Sequence, residues 1–367
     1  MPMPMDVELH IQTSDNILPI LSPLLPHIQR WRSFTIQDKQ ERLFLKDVNS
    51  SDSHLTDLRI SIQDDPDRMH HQTFIAYEQH FGMQVDILHL PKSQSLMPLH
   101  ITNLKLSEDS PNNLHSDPRD ILDFLTVCPE LQTFCFRGWY HNEHPSIEPL
   151  PIAHLPYLHT LQLKSTCMTR AILSHLDTPQ LVNLYLSHLN TEFKLRGDYN
   201  EEGDSEDEAH DFSQSPSTDR ATGMGLRILI NRCNPPIRLL DMDYSDLRTK
   251  DFRFIFERLP WLQDFRIVAS DMSDTVIGLL SPYILSDKQS PQIRLRYLRS
   301  LCLHNCNRLS GDAVVNALVA RVKYTNEQPA LVETLNNVAI ITCYMVRFEH
   351  GERIMELLGN RLRLQLA

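Results

Sequence analysis

An apolar-x-x-apolar-x-apolar pattern recurs from one end of the chain to the other. It is seen at Trp31/Phe34/Ile36, Leu55/Leu58/Ile60, Val85/Leu88/Leu90, Ile101/Leu104/Leu106, Leu131/Phe134/Phe136, Leu158/Leu161/Leu163 and Leu181/Leu184/Leu186. Further copies follow at Ile237/Leu240/Met242, Leu262/Phe265/Ile267, Leu298/Leu301/Leu303 and Leu335/Val338/Ile340. In each copy the last two apolar positions alternate with polar ones, which predicts a short strand buried on one face. The first apolar residue, three positions earlier, belongs to the turn that feeds the strand.

Helical spacing fills several of the intervals. Residues 121–128 follow Asp117-Pro118, residues 168–176 follow Thr166, and residues 245–259 start at Ser245 as a cap and stop at Pro260. Residues 274–285 and 311–324 read the same way, the second with Ala313, Val314, Leu318, Val319 and Val322 along one side. Strand–turn–helix units in tandem, each too small to bury its own apolar face, predict an α/β solenoid in which neighbouring units supply one another's core. First-position intervals after residue 131 run 27, 23, 56, 25, 36 and 37 residues, so the repeats are irregular in length.

Charge separates one segment from this pattern. The chain of 367 residues carries a net charge of −12, and residues 191–220, with ten acidic and three basic residues, account for seven of those charges. That segment holds Glu201-Glu-Gly-Asp-Ser-Glu-Asp-Glu208 and few apolar residues, so it reads as a disordered acidic insertion. The expected organisation is residues 1–190 as N-terminal repeats with a capping segment, 191–220 as the insertion, and 221–367 as C-terminal repeats of the same solenoid. Within the insertion, Ser205 in its acidic context and Ser215 before Pro216 are candidate phosphorylation sites.

No basic stripe is present for a nucleic-acid backbone, and no run of about eighteen apolar residues exists for a membrane span. The N-terminus shows no charged-then-apolar leader pattern. Seven Cys without a C-x-x-C pair point to reduced, mostly buried thiols in cytoplasm or nucleus.

The segment 295–321, with Leu301-x-Leu303, the Asn305-Cys306 turn and an apolar-periodic stretch after it, resembles the cysteine-containing leucine-rich repeat of F-box proteins. Residues 17–36 resemble the segment that follows the F-box in fungal F-box/leucine-rich-repeat proteins. The resemblance spans roughly residues 5–343. It implies a leucine-rich-repeat horseshoe and a role in substrate recognition for an SCF-type ubiquitin ligase. Such proteins announce their F-box by Leu-Pro-x-Glu, whereas none of the Leu-Pro pairs at 18, 25, 90, 150, 155 and 259 is followed by Glu at that spacing. The expectation is therefore an F-box-less chain that binds the cullin-ligase adaptor only if such a module lies upstream. The prolines at 19, 23 and 26 make 17–28 a cap for the repeat core rather than a docking helix. The alternative is a free-standing repeat scaffold or inhibitor with no ligase connection.

Chemistry of other kinds has little to stand on. Phosphate-binding, nucleophile-elbow and zinc-protease motifs are missing from the sequence, and Gly223-Met-Gly225 reads as a flexible exit from the acidic insertion. His141/His144 and His70-His71 read as surface histidines, and Cys306 as a packed turn thiol. No catalytic residue, metal or cofactor is expected. What remains is protein binding. If Leu161 and Leu163 point inward, strand parity places Gln162 and Lys164 on the concave face, together with Arg137, Tyr185, Asp241, Asp243, Arg266 and His304. Trp139 and Tyr140 follow the Arg137 strand and would rim that face.

Overall fold

The computed structural model describes residues 5–11, 31–38, 57–65, 68–77, 80–86, 101–107, 117–138, 149–166, 168–187, 222–244, 247–270, 272–284, 290–329 and 331–365, the first five of these segments and residue 107 as backbone only. The fold is α/β, with short, mostly parallel strands separated by helices. It divides into two compact units, residues 1–161 with 175–178, and residues 162–174 with 179–367.

In the first unit, β1 (Met5–Ile11) and β2 (Trp31–Asp38) form a parallel pair. Three strands follow, β3 (Asp57–Asp65), β4 (Arg68–Tyr77) and β5 (His80–Asp86), and each pairs antiparallel with the next. This corrects the reading of residues 55–90 as parallel repeats. The connections are too short for a crossover helix, and two residues between successive strands permit only a hairpin. Parallel order begins when β6 (Asn103–Ser107) joins β5, with Met83 opposite Leu104 and Val85 opposite Leu106. The apolar pair that enters the sheet is therefore Met83/Val85. Leu88 and Leu90, expected to do so, lie outside the described residues.

Helix α1 (Pro118–Thr126) starts directly after Asp117, three residues ahead of the stretch 121–128 expected from apolar spacing. Asp117 accepts a hydrogen bond from the Arg119 amide at 2.8 Å, and Pro118 occupies the first turn, where its missing N–H removes no bond. Next come β7 (Thr133–Arg137), parallel to β6, and β8 (Ala153–His154), which pairs with β10 (Leu176–Asp177). His154 Nδ1 lies 2.7 Å from Asp177 Oδ2 across that short pair. Strand β9 (Thr160–Lys164) spans the boundary between the units.

The second unit repeats one plan. Helix α2 (Thr169–Ser174) leads to β11 (Asn183–Ser187), and α3 (Thr222–Cys233) to β12 (Leu239–Asp243). Helix α4 (Thr249–Arg258) precedes β13 (Asp264–Val268), and α5 (Asp274–Gly278) precedes β14 (Ser300–His304). Helix α6 (Gly311–Glu327) and β15 (Asn337–Ile341) follow, then α7 (Phe348–Leu358) and β16 (Leu362–Gln365). From β11 through β16 every pairing is parallel.

The register stacks like residues on like. Leu184, Leu240, Phe265, Leu301 and Val338 form one cross-strand row, and Leu186, Met242, Ile267, Leu303 and Ile340 the next. With the turn residues Leu181, Ile237, Leu262, Leu298 and Leu335, all fifteen are buried. Truncating any of the large ones to Ala costs about 2–5 kcal/mol.

Backbone geometry repeats as faithfully as the side chains. Before each strand, two successive amides donate to one carbonyl: Arg238 and Leu239 to Val182, Gln263 and Asp264 to Arg238, Arg299 and Ser300 to Gln263, Asn336 and Asn337 to Arg299. After each strand a residue enters the left-handed region: Tyr244, Ala269, Asn305 and Thr342, with Ser165 after β9. Its amide donates to the neighbouring strand's last carbonyl, as from Asn305 to Ile341 and from Thr342 to Gln365, both at 2.8 Å.

Several local expectations change. Gly223 and Gly225 lie in the first turn of α3 and are buried, not part of a flexible exit. A Cβ at Gly225 would meet Arg170 Cα of α2 at 2.9 Å, and one at Gly223 would run into the Asp251 carboxylate. The glycines let the helices approach closely. Helix α4 begins at Thr249 rather than Ser245, which lies outside the described residues. Asp251 accepts from the Arg248 amide at 3.1 Å and caps that turn. Helix α5 stops at Gly278, well short of 285, because Pro282 cannot donate a helical hydrogen bond and pushes Ser281 out of helical geometry. Finally, α7 and β16 carry a further unit that the apolar hexad misses, since Gly359 occupies its first position.

Candidate functional site

Strands β11 to β14 bury alternate residues, so the intervening ones form a largely half-exposed, mostly polar face, while on β15 the intervening Ala339 is buried. Register places Tyr185, Asp241, Arg266, Cys302, Ala339 and Arg363 side by side in one cross-strand row. The adjoining row reads Ser187, Asp243, Val268, His304, Ile341 and Gln365. Parallel in-register pairing of strands of equal length turns one residue per repeat into one continuous row, about 4.8 Å per step.

Arg266 is the centre of this face. Its guanidinium is 54% exposed and lies 3.4 Å from Asp241 Oδ2, whose side chain is only 20% exposed. Burial pushes the Asp241 carboxyl up from its ordinary value; Arg266 pulls the other way and Asp243 adds to the rise. The Cys302 thiol, on the opposite side of Arg266, is likewise raised by burial and partly restored by the guanidinium. Arg266 thus bridges a carboxylate and a thiol on neighbouring strands while keeping much of its own surface open. The two rows together offer the cationic Arg266 and Arg363, the carboxylates of Asp241 and Asp243 and the Tyr185 ring to a partner.

Seven sequence-derived candidates are brought together in this unit: Gln162, Lys164, Tyr185, Asp241, Asp243, Arg266 and His304. All are half-buried except Arg266, which is exposed. Arg137 is exposed at the end of β7 in the first unit. Trp139, Tyr140, Ser205 and Ser215 lie outside the described residues, as do the acidic insertion and His141/His144. Sequence reading missed Arg363, at the end of the central row, and Tyr244 and Asn305, which extend the other strand ends in left-handed geometry. Asn followed by Cys at 305–306 is the one signal that could have flagged that position, because Asn tolerates positive φ.

Behind the face, the residue two past β9, β13, β14 and β15 is a buried Thr, Ser or Cys. The Thr166 and Ser270 hydroxyls each accept an amide two residues on at 3.1 Å. Cys306 and Cys343 occupy the same place, each thiol directed at carbonyls of its own and the preceding strand. A hydrogen bond between the two thiols, together with burial, raises Cys306, and the same bond lowers Cys343. Of the six described cysteines, Cys128, Cys306 and Cys343 are buried, while Cys135, Cys233 and Cys302 are half-buried; all six are free thiols.

Among the described residues, no group of three His, Cys, Asp or Glu side chains could hold a metal ion. Nor is any described helix long and apolar enough to cross a membrane. No protein-family model matches this chain, and no curated protein matches it either.

Proposed function

We propose that this chain is a leucine-rich-repeat solenoid with no chemistry of its own, which holds another protein on the polar face of its parallel sheet. The observation that carries the reading is the repetition of one unit in sequence, register and backbone. Strands β9 and β12 to β15 are each entered through a two-amide fork, bury two apolar residues and are followed by a left-handed residue, and after β9, β13, β14 and β15 a buried Thr, Ser or Cys comes next. Such an array leaves one side chain per strand per row for recognition. On this reading residues 191–220 interrupt a continuous array, and Tyr185, Asp241, Asp243, Arg266 and His304 contact the partner. The resemblance adds the setting: substrate recognition for an SCF-type ubiquitin ligase, or an F-box-less derivative of such a receptor, in cytoplasm or nucleus, with the adaptor bound only where an F-box is present upstream.

Alanine scanning of the captured complex tests the reading. Tyr185→Ala and Arg266→Ala should each weaken partner retention by at least tenfold with an unchanged melting temperature, in line with anchor residues of these types. Lys323→Ala and Glu352→Ala, on α6 and α7, should leave it intact. Equal losses from both pairs would place the partner elsewhere. Co-precipitation of the adaptor with a chain extended upstream tests the ligase setting separately.

A further inference from the structure

We propose that the turns entering β12, β13 and β14 form a second docking ridge, built for an acidic segment of a partner protein that carries an apolar anchor. This surface is distinct from the sheet face, and the argument for it does not depend on that face binding anything. Trp261 and Tyr297 occupy equivalent positions, each directly before the first apolar residue of its hexad (Leu262 and Leu298). The fork that ties Arg299 and Ser300 to the Gln263 carbonyl brings the two turns together. Their rings stack in parallel, with centroids 5.1 Å apart and an interplanar angle of 2°. Trp261 is nonetheless 50% exposed. A large aromatic held rigidly by its neighbour yet open to solvent presents apolar area with little ordering entropy left to lose on binding.

Two residues further on, the same turns carry a polar column: Arg238, Gln263, Arg299 and Asn336, linked by successive amide-to-carbonyl bonds. Arg238, Arg296 and Arg299 are all exposed, and Arg299 is oriented by a hydrogen bond from its guanidinium to the Gln263 side chain. Carboxylates share this rim: Glu257 is engaged by Arg294 at 3.3 Å, Asp264 is half-buried at the start of β13, and the exposed Glu333 donates its amide to the Arg296 carbonyl, which leaves the arginines in excess. In a chain whose net charge is −12, the ridge is a local concentration of guanidinium groups around an aromatic pair. Arginine pairs with carboxylate through two parallel hydrogen bonds, and Trp, Tyr and Arg are the residue types that dominate interface energetics.

Geometry narrows the ligand further. Arg238 and Arg299 are separated by two strand spacings, about 9.6 Å, which matches one three-residue turn of polyproline-II chain at about 3.1 Å per residue, where side chains three apart share a face. The fitting segment therefore has acidic residues three apart, with an apolar side chain between them that lies against Trp261. Aromatic stacks beside arginines also suit single-stranded nucleic acid. The overall negative charge of the chain and the neighbouring aspartates at 241, 243 and 264 favour a short acidic peptide over a continuous polyanion.

The test is fluorescence anisotropy with the full chain and a panel of labelled twelve-residue peptides carrying Asp or Glu three apart around a central Leu, Phe or Trp. At least one should bind in the micromolar range. Affinity should fall at least tenfold with Arg296→Glu/Arg299→Glu or with Trp261→Ala, and also fall as salt rises. Tyr185→Ala/Arg266→Ala on the sheet face should leave it unchanged. The arginine substitutions are at exposed positions, which keeps loss of binding separable from loss of folding when melting temperatures are compared. Absence of binding across the panel, or equal binding by the charge-reversed chain, overturns the proposal. So does tighter binding of a labelled oligothymidylate than of any peptide, or self-association of the chain that is abolished by the same two substitutions.

Discussion

The irregular segment between α5 and β14 hangs on one side chain. Arg321, on α6, is fully buried, and its guanidinium donates to the carbonyl oxygens of Leu280 at 3.3 Å, Arg294 at 3.0 Å and Leu295. No carboxylate within ion-pair distance compensates it among the described residues, and burial brings its pKa down to about 10. That displacement corresponds to about 3 kcal/mol against the charged form. Three hydrogen bonds from a charged donor contribute about 1.5–3 kcal/mol each, and each carbonyl stripped of its partner in a buried site costs a similar amount. The favourable side therefore exceeds the burial penalty by about 1.5–6 kcal/mol. Arg321→Met, which keeps most of the apolar stem, should destabilise the second unit by about 3 kcal/mol, and Arg321→Ala by about 4 kcal/mol because a cavity is added. The measurement is urea denaturation followed by tryptophan fluorescence, with hydrogen exchange of amides 292–298 as the local readout. Those amides should lose protection in Arg321→Met before the global transition. The folded-state pKa of this base lies below its unfolded value, so the penalty is fully present at pH values below about 10 and disappears only as pH rises through that point. Between pH 5 and 9 the mutational difference should therefore be flat. A Met variant within 0.5 kcal/mol of wild type would refute the reasoning and show that the segment is held by the other contacts, namely the Tyr283–Gln292 bridge, the Arg294 guanidinium over Tyr283 and the Tyr324 hydroxyl on Pro291.

Other expectations follow from single positions. Thr342 is β-branched at φ 48°, so Thr342→Asn should stabilise by about 0.5–1 kcal/mol in chemical denaturation, whereas no gain would mean that its side chain offsets the strain. Gly225→Ala should destabilise by about 1–3 kcal/mol, because the new methyl group meets the α2 backbone, which cannot rotate away; a neutral result would mean that the helices separate freely. Asp251 lies 3.1 Å from Arg227 and 3.3 Å from Arg248 with almost no exposure, so Asp251→Ala should cost about 3–5 kcal/mol by leaving two guanidinium groups beside an emptied site, read from the shift in denaturation midpoint. The Asp241 carboxyl is raised in the folded state, so the penalty it brings is full above its folded pKa and fades as pH falls through it. Asp241→Asn should be modestly more stable than wild type at pH 7, with the difference closing toward pH 4, as thermal scans across that range would report.

The sequence by itself determined the strands of the repeats and the residues they bury. The pairs Leu184/Leu186, Leu240/Met242, Phe265/Ile267, Leu301/Leu303 and Val338/Ile340 are spaced two apart, and only an extended segment puts such pairs on one face. It also located α1 and α6, whose caps Asp117 and Ser310 are local chemistry. It indicated which candidates share a sheet face, because parity is a property of the strand alone. Tertiary structure decided what depends on residues far apart in the chain. Gly223 and Gly225 look like flexibility until Asp251 and Arg170 come close to them. Likewise, β3, β4 and β5 carry apolar residues that fit a repeat strand, and only the short connections between them make them antiparallel. The left-handed Tyr244, Ala269 and Thr342 carry no sequence signal, since none is Gly or Asn; the neighbouring strand's carbonyl, waiting for an amide, sets their geometry. Trp261 and Tyr297 are 36 residues apart, and only in-register stacking of successive turns makes them one surface. Periodicity reports what a residue needs from its own segment, whereas close approach, buried charge and cross-turn stacking are set by partners that the fold supplies.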